Sequence, residues 1–284
     1  MVYYVPDHST KTLTVRKLKK LLEMVDAQNS IKLIAYIKNE IHKRNGILLN
    51  LYLSGSDLYG WRSRNSDIDI RGTYILDKRE FLGLKNNPKD TIQLKGMENY
   101  DIDLFEAKKS INLGLKGNCT ILEGYYAPQL YALNEYNEIA KMLKESWGKG
   151  GVFGSYHGMA EFNYKKFIAQ GRNTIKKYLY VFRGLLAGRY ALDNGSFESD
   201  MNVLLKYYRE PLIKKLLKFK KEGKENEPLR ELNSGELDKI IIKQFKKLDE
   251  SYNGCAFPVK PDEEAWNKMN KLLIQTRLDM SYDR

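Results

Sequence analysis

The chain has 284 residues, 42% hydrophobic and 30% charged, proportions that fit one large globular domain or two modest ones. Its 48 lysines and arginines against 36 acids leave a formal net charge of +12, which favours polyanionic partners such as nucleic acid or an anionic membrane face. No run of about eighteen apolar residues occurs, so a spanning helix is excluded. The start, MVYYVPDHSTKTLTVRKLKK, is too polar for a signal peptide. Cys119 and Cys255 stand far apart, and the three histidines are scattered, so neither a disulfide framework nor a zinc site is expected. A basic cytoplasmic protein is the expectation.

In chain order, SIKLIAYIKNEIHKRNG (30–46) predicts an amphipathic helix, with Ser30 as its cap and Gly46 as its stop. ILLNLYLS (47–54) follows as an apolar strand. SDIDIRGTYIL (66–76) alternates polar and apolar residues like a half-buried strand. KDTIQLKGM (89–97) and NYDIDLF (99–105) predict two more strands, and 106–117 returns to helix. Beyond about residue 120 the spacing turns helical, at 135–150, 158–192, 201–223 and 262–280. WGKGGVFGS (147–155) lacks the ending of a phosphate-binding P-loop and reads as a hinge between helices. The stretch 221–236 reads as a loop. The expected fold class is α/β (α+β), a mixed sheet flanked by helices over 1–125 and a helical domain over 126–284.

The chemistry concentrates in SGSDLYGWRSRNSDIDIRG (54–72). Side chains alternate across a strand, so Asp67, Asp69 and Arg71 share one face while Ile68 and Ile70 anchor the other. Two carboxylates side by side repel, and a divalent cation between them reverses that cost. Hard oxygens on a rigid strand suit Mg²⁺, with positions left for phosphate oxygens. Gly55 and Ser56 end the preceding strand, where backbone N–H groups and a hydroxyl can approach a phosphate. Asp101 and Asp103 offer a third carboxylate from a strand that could run alongside.

The stretch GSDLYGWRSRNSDIDIRGTYI resembles the signature of the DNA polymerase β nucleotidyltransferase superfamily. More narrowly it resembles the RlaP family of nucleotidyltransferases associated with RNA repair. DIDLFEAKKSINLGLKGNCTILE (101–123) is similar to that family's acidic strand, basic helix and N-x-x-x-L-E ending, although Cys119 stands where the family often has proline. YHGMAEFNYKKF and KKYLYVFRGLLAGRYAL are similar, more loosely, to its helical half. The resemblance implies a polymerase-β-like catalytic domain. It further implies Mg²⁺ (or Mn²⁺) held by Asp67, Asp69 and Asp101, and an NTP whose triphosphate sits on Gly55 and Ser56. Arg62 and Ser66 in the spacer and Arg71 on the acidic face are further nucleotide candidates, with solvent for Arg62 and a neighbouring acid for Arg71 as the alternatives. The family pattern points to Asp101 as the third acid and simple strand reach to Asp103, so all four aspartates stand as catalytic candidates. Arg183 is a further nucleotide candidate, because the helical domain of related transferases helps form the nucleotide pocket.

Tyr59 and Trp61 suit either stacking on a base or covering the sheet end, and Arg64 either a passing triphosphate or water. The lysine-rich run 206–224 suits either an RNA backbone or solvent. The expected activity is transfer of a nucleoside monophosphate from NTP to an acceptor hydroxyl, favoured as an RNA end, with tRNA among the candidates. Transfer to a protein or small molecule, and a non-catalytic RNA-binding module, are the alternatives.

Overall fold

The computed structural model describes residues 27–63, 66–82, 84, 88–94, 99–223 and 233–280. A five-stranded sheet runs in the order β3-β4-β2-β1-β5, with β1 Gly46–Leu53, β2 Ile68–Leu76, β3 Thr91–Leu94, β4 Tyr100–Glu106 and β5 Gln129–Ala132. Only the central β2–β4 pair is parallel; β1–β2, β1–β5 and β3–β4 are antiparallel. The sheet is therefore mixed, as the sequence led us to expect. β5 comes from beyond residue 125 and was not foreseen, because QLYA is short and carries no alternation.

The two faces of the sheet are covered differently. Helix α1 (Ala27–His42) lays Leu33, Ile37 and Ile41 on one face, against Leu51, Ile70, Tyr74, Ile102 and Leu104. Each such buried side chain contributes about 1.5–3 kcal/mol. The helix is already under way at Ala27, so Ser30 lies within it rather than capping it. It is stopped by Asn45 in the left-handed region (φ 54°), and Gly46 opens β1 instead.

The other face carries Asp69, Arg71, Thr73 and Ile75 on β2. Its far end is roofed by α4 (Ala107–Leu115), α5 (Cys119–Tyr126) and α6 (Asn134–Ser146). Along β2 this face passes from acids, through the buried Thr73, whose hydroxyl donates to Ser110 Oγ at 3.4 Å, to the fully apolar Ile75. One end of the face thus stays polar and open.

The remaining helices are the single turns α2 (Gly55–Leu58) and α3 (Arg79–Leu82), then α7 (Lys149–Asn163), α8 (Ile175–Asn194), α9 (Met201–Tyr208), α10 (Pro211–Lys221), α11 (Ser234–Gly254) and α12 (Glu263–Asp279). α8 is the hub, and Gly184 and Gly188 let α7 approach so closely that a Cβ at Gly188 would lie 2.8 Å from Tyr156 Cβ. The expected single helical run 158–192 is broken by a π-helical turn at Tyr164–Ile168 and a loop before α8. The run 201–223 is split at Arg209, which is left-handed, and restarted by Pro211 at the first turn of α10.

The glycine-rich stretch is not a hinge. From Lys149 it is the first turn of α7, whose free N–H groups are satisfied by Pro258 O (2.8 Å) and Val259 O (3.0 Å). The predicted 221–236 loop falls partly outside the described residues, and its end, from Ser234, belongs to α11. α12 is tied to the sheet by Arg277, which donates to the buried Glu106 at 2.6 Å. No helix among the described residues is long and apolar enough to cross a membrane.

Candidate active site

β1 ends at Leu53, and Ser54 N–H donates to Asp69 O at 2.8 Å, holding the end of β1 beside β2. The chain then turns through the four-residue helix α2 (Gly55–Leu58). Gly55 has φ +54°, and a Cβ there would lie 1.8 Å from Asp69 Oδ2. Glycine is required at this point both by the left-handed backbone and by the carboxylate pressed against it. The Ser56 N–H is donated to the Asp69 carboxylate, whereas Ser56 Oγ is buried with no hydrogen-bond partner among the described residues.

The parallel register answers how the acids stand to one another. Asp69 lies opposite Asp101, and Arg71 opposite Asp103. The intervening Ile70 and Ile102 are buried on the α1 face, so the four polar side chains emerge together on the other. Asp67, just before β2, and Asp101 are exposed; Asp69 and Asp103 are half-buried. Burial raises the Asp69 carboxyl above the usual carboxylate range. Arg71 works against that shift, the Asp101 and Asp67 charges add to it, and the Ser56 N–H opposes it. Asp101 thus acts on Asp69 directly, while Asp103 sits one step deeper with Oδ1 buried and unpartnered among the described residues. No ion pair holds Arg71 among the described residues.

The spacer between the two motifs is clasped. Arg62 pairs with the buried Asp57 at 2.6 Å and donates to Ser66 O at 3.0 Å; Ser63 and Ser66 hydroxyls lie 2.9 Å apart. Arg62 therefore links the turn after β1 to Ser66 just before β2, and it is already engaged by a carboxylate. Arg64 lies outside the described residues. Tyr59 and Trp61 are core residues, the indole packing edge-on against Tyr59 (5.2 Å) and Tyr180 (5.5 Å). Behind them Asn202 Nδ2 donates to Gly60 O, and Met201 N–H to Tyr59 O, so α9 buttresses the turn.

Arg183 requires correction. It is only 2% exposed, its guanidinium donates to Glu123 Oε1 at 2.6 Å and lies 3.9 Å from the centre of the Tyr59 ring. Tyr156 OH donates to the same Glu123 oxygen at 2.9 Å. Arg183 is a core residue that braces Tyr59 from behind and does not face the cleft. The sequence contained its partner within the N-x-x-x-L-E ending, but 60 residues separate the two and no local pattern links them.

Whether a divalent cation fits can be judged from the donors. Asp67, Asp69 and Asp101 are hard oxygen donors at one end of one face, and the charge repulsion on Asp69 is what a cation would relieve. As the side chains stand, no group of three His, Cys, Asp or Glu among the described residues closes on a common point. The unpartnered Ser56 Oγ and Asp103 Oδ1 are further oxygens lacking a protein partner among the described residues. The donor set fits. Two cavities lie away from the acids, one of about 700 Å³ between α8 and α11 and one of about 560 Å³ between α1, β1 and the end of α12.

A mixed sheet that presents Gly-Ser, D-x-D and a third acid from a parallel neighbour is the arrangement of a polymerase-β-type nucleotidyltransferase fold. The sequence matches the family described as "RNA repair pathway DNA polymerase beta family" (RlaP) over residues 19–275, and the chain belongs to that family. It is 28% identical to the uncharacterized protein MJ0002 of Methanocaldococcus jannaschii over 217 residues, 75% of this chain and 88% of that one. It is 27% identical to the uncharacterized protein YcgL of Bacillus subtilis over 233 residues, 78% of this chain and 86% of that one. Among solved structures, a nucleotidyltransferase-like protein from Exiguobacterium sibiricum aligns over 88% of this chain and 79% of its own, at 10% identity and a TM-score of 0.27.

Proposed function

We propose that the protein is a metal-dependent nucleotidyltransferase that moves a nucleoside monophosphate from an NTP to an acceptor hydroxyl, most directly an RNA end. The observation that carries the reading is the β2–β4 register, which sets Asp69 beside Asp101 one step from a Gly-Ser turn. Mg²⁺, or Mn²⁺ in its place, would be held by Asp67, Asp69 and Asp101, and when bound neutralises the triphosphate and eases ionisation of the acceptor hydroxyl.

The chain's own residues supply the positioning. Ser56 Oγ, without a protein partner among the described residues, donates to a phosphate oxygen, and Gly55 keeps that turn close to the acids. Arg71 offers a planar fork to the triphosphate from the same face. Arg62 and Ser66 tie the segment before β2 to the turn after β1. The acceptor hydroxyl loses its proton to solvent as its oxygen attacks the α-phosphorus, the bond from that phosphorus to the α,β-bridging oxygen breaks, and pyrophosphate leaves. Between the two candidate third acids, the register supports Asp101 in that role, since it stands opposite Asp69 while Asp103 stands opposite Arg71.

RNA as acceptor is supported by the net charge of +12 and by the family's description. The test offers each α-labelled NTP separately with Mg²⁺ or Mn²⁺ and a pool of small RNAs. Label entering RNA is the expected result. Label entering protein or a small molecule would replace RNA as the acceptor, and no transfer with any NTP would overturn the reading.

A further inference from the structure

The start of α8 carries a second concentration of chemistry that the acidic strands do not use. α7 runs directly into the π-helical turn, a widened geometry that recurs at functional sites. Beside it Phe162 stands 55% exposed, its ring 6.4 Å from that of Phe167 and nearly perpendicular to it. Cations gather on these rings. Lys177 Nζ lies 3.6 Å from the centre of Phe167, Lys166 5.5 Å from it and 4.7 Å from Phe162, and the Arg172 guanidinium 5.8 Å from Phe167.

These cations lack anions. Glu161, one turn earlier, is taken by Lys165 at 2.6 Å, and no ion pair holds Lys166, Arg172, Lys176 or Lys177 among the described residues. Burial, then the charges of Lys176 and Lys166, push the Lys177 ammonium below the usual lysine range, so the cluster is under mutual repulsion. Unopposed cations around accessible aromatic rings hold single-stranded nucleic acid: phosphates neutralise the cations, and bases stack on the rings whatever their sequence.

The cluster is also joined to the candidate active site. Tyr180 packs on Trp61 at 5.5 Å, and Trp61 N–H donates to Ser56 O at 3.1 Å. Lys176 and Lys177 precede Tyr180 by about one helical turn, roughly 4.5–6 Å along the axis. We propose that the π-helical turn and the start of α8, through Phe162, Phe167, Lys166, Arg172, Lys176 and Lys177, form the docking surface for a single-stranded RNA acceptor. The role as acceptor rests on the nucleotidyl-transfer reading; the binding does not.

The test measures fluorescence anisotropy of a labelled decauridylate with the full chain, without NTP, at several salt concentrations. Phe162→Ala should weaken binding about tenfold through loss of one stacked base. Lys166→Ala/Lys177→Ala should reduce the slope of log affinity against log salt by about 1.4, two phosphate contacts at about 0.7 each. Lys214→Ala/Lys215→Ala, with the same charge loss on α10, should bind like the parent. The proposal is overturned if the parent protein does not bind, if the first two variants bind unchanged, or if the α10 variant loses as much. It is equally overturned if those variants lose affinity for phosphatidylserine–phosphatidylcholine vesicles and not for RNA. Because no NTP is present, failure here leaves nucleotidyl transfer standing, and failure of transfer leaves a positive binding result standing.

Discussion

At the scale of single residues, the site depends on groups whose cost is met only by their neighbours. Gly55 is the sharpest case: Gly55→Ala would place a methyl group against the Asp69 carboxylate in a left-handed backbone. It should cost on the order of 1–3 kcal/mol by urea denaturation and weaken nucleotide binding with it. The Arg183–Glu123 pair is buried at both ends. Glu123→Ala strands the guanidinium and should cost about 3–5 kcal/mol, read from the same denaturation midpoint. A merely catalytic Arg183 would predict unchanged stability instead. Cys119 is buried, and that burial pushes its thiol up to about 11. The folded chain therefore keeps a proton that an unfolded thiol, near 8.5, has released. The associated stability is present below about pH 8.5 and lost as pH rises through about 11. Iodoacetamide at pH 8 should leave Cys119 unmodified until urea unfolds the chain.

At the scale of elements, some signals are local and some are not. The D-x-D strand was legible because a strand repeats every two residues, and Ile68 and Ile70 reveal which face is inside. The neighbouring acidic strand was legible for the same reason. Which of its two acids meets Asp69 is not legible from strand reach, which favours Asp103; the family pattern points to Asp101, and the pairing register sets Asp101 opposite. α11 was missed because its apolar stripe is narrow: Leu237, Ile241 and Leu248 are buried, while Lys239, Lys243, Lys246 and Lys247 dilute the pattern. Leu248→Ala should cost about 2–5 kcal/mol despite lying in a lysine-rich helix, a loss measurable by thermal or chemical unfolding. The family's helical half suggests Arg183 for the nucleotide pocket, yet it faces inward because Glu123 supplies a buried counter-charge.

At the scale of the whole molecule, the open acidic end of the sheet sits within a strongly basic chain. On the proposed reading, the overall field would draw an anionic substrate to three carboxylates, which requires that cations accompany its phosphates. The measurement that tests this most directly compares label transfer from α-labelled NTP to RNA by the parent protein, Asp69→Ala, Asp101→Ala and Asp103→Ala, with folding checked for each. Transfer should fall by on the order of a hundredfold or more for Asp69→Ala and Asp101→Ala, and less for Asp103→Ala. Transfer that persists in folded Asp69→Ala and Asp101→Ala proteins would contradict the account.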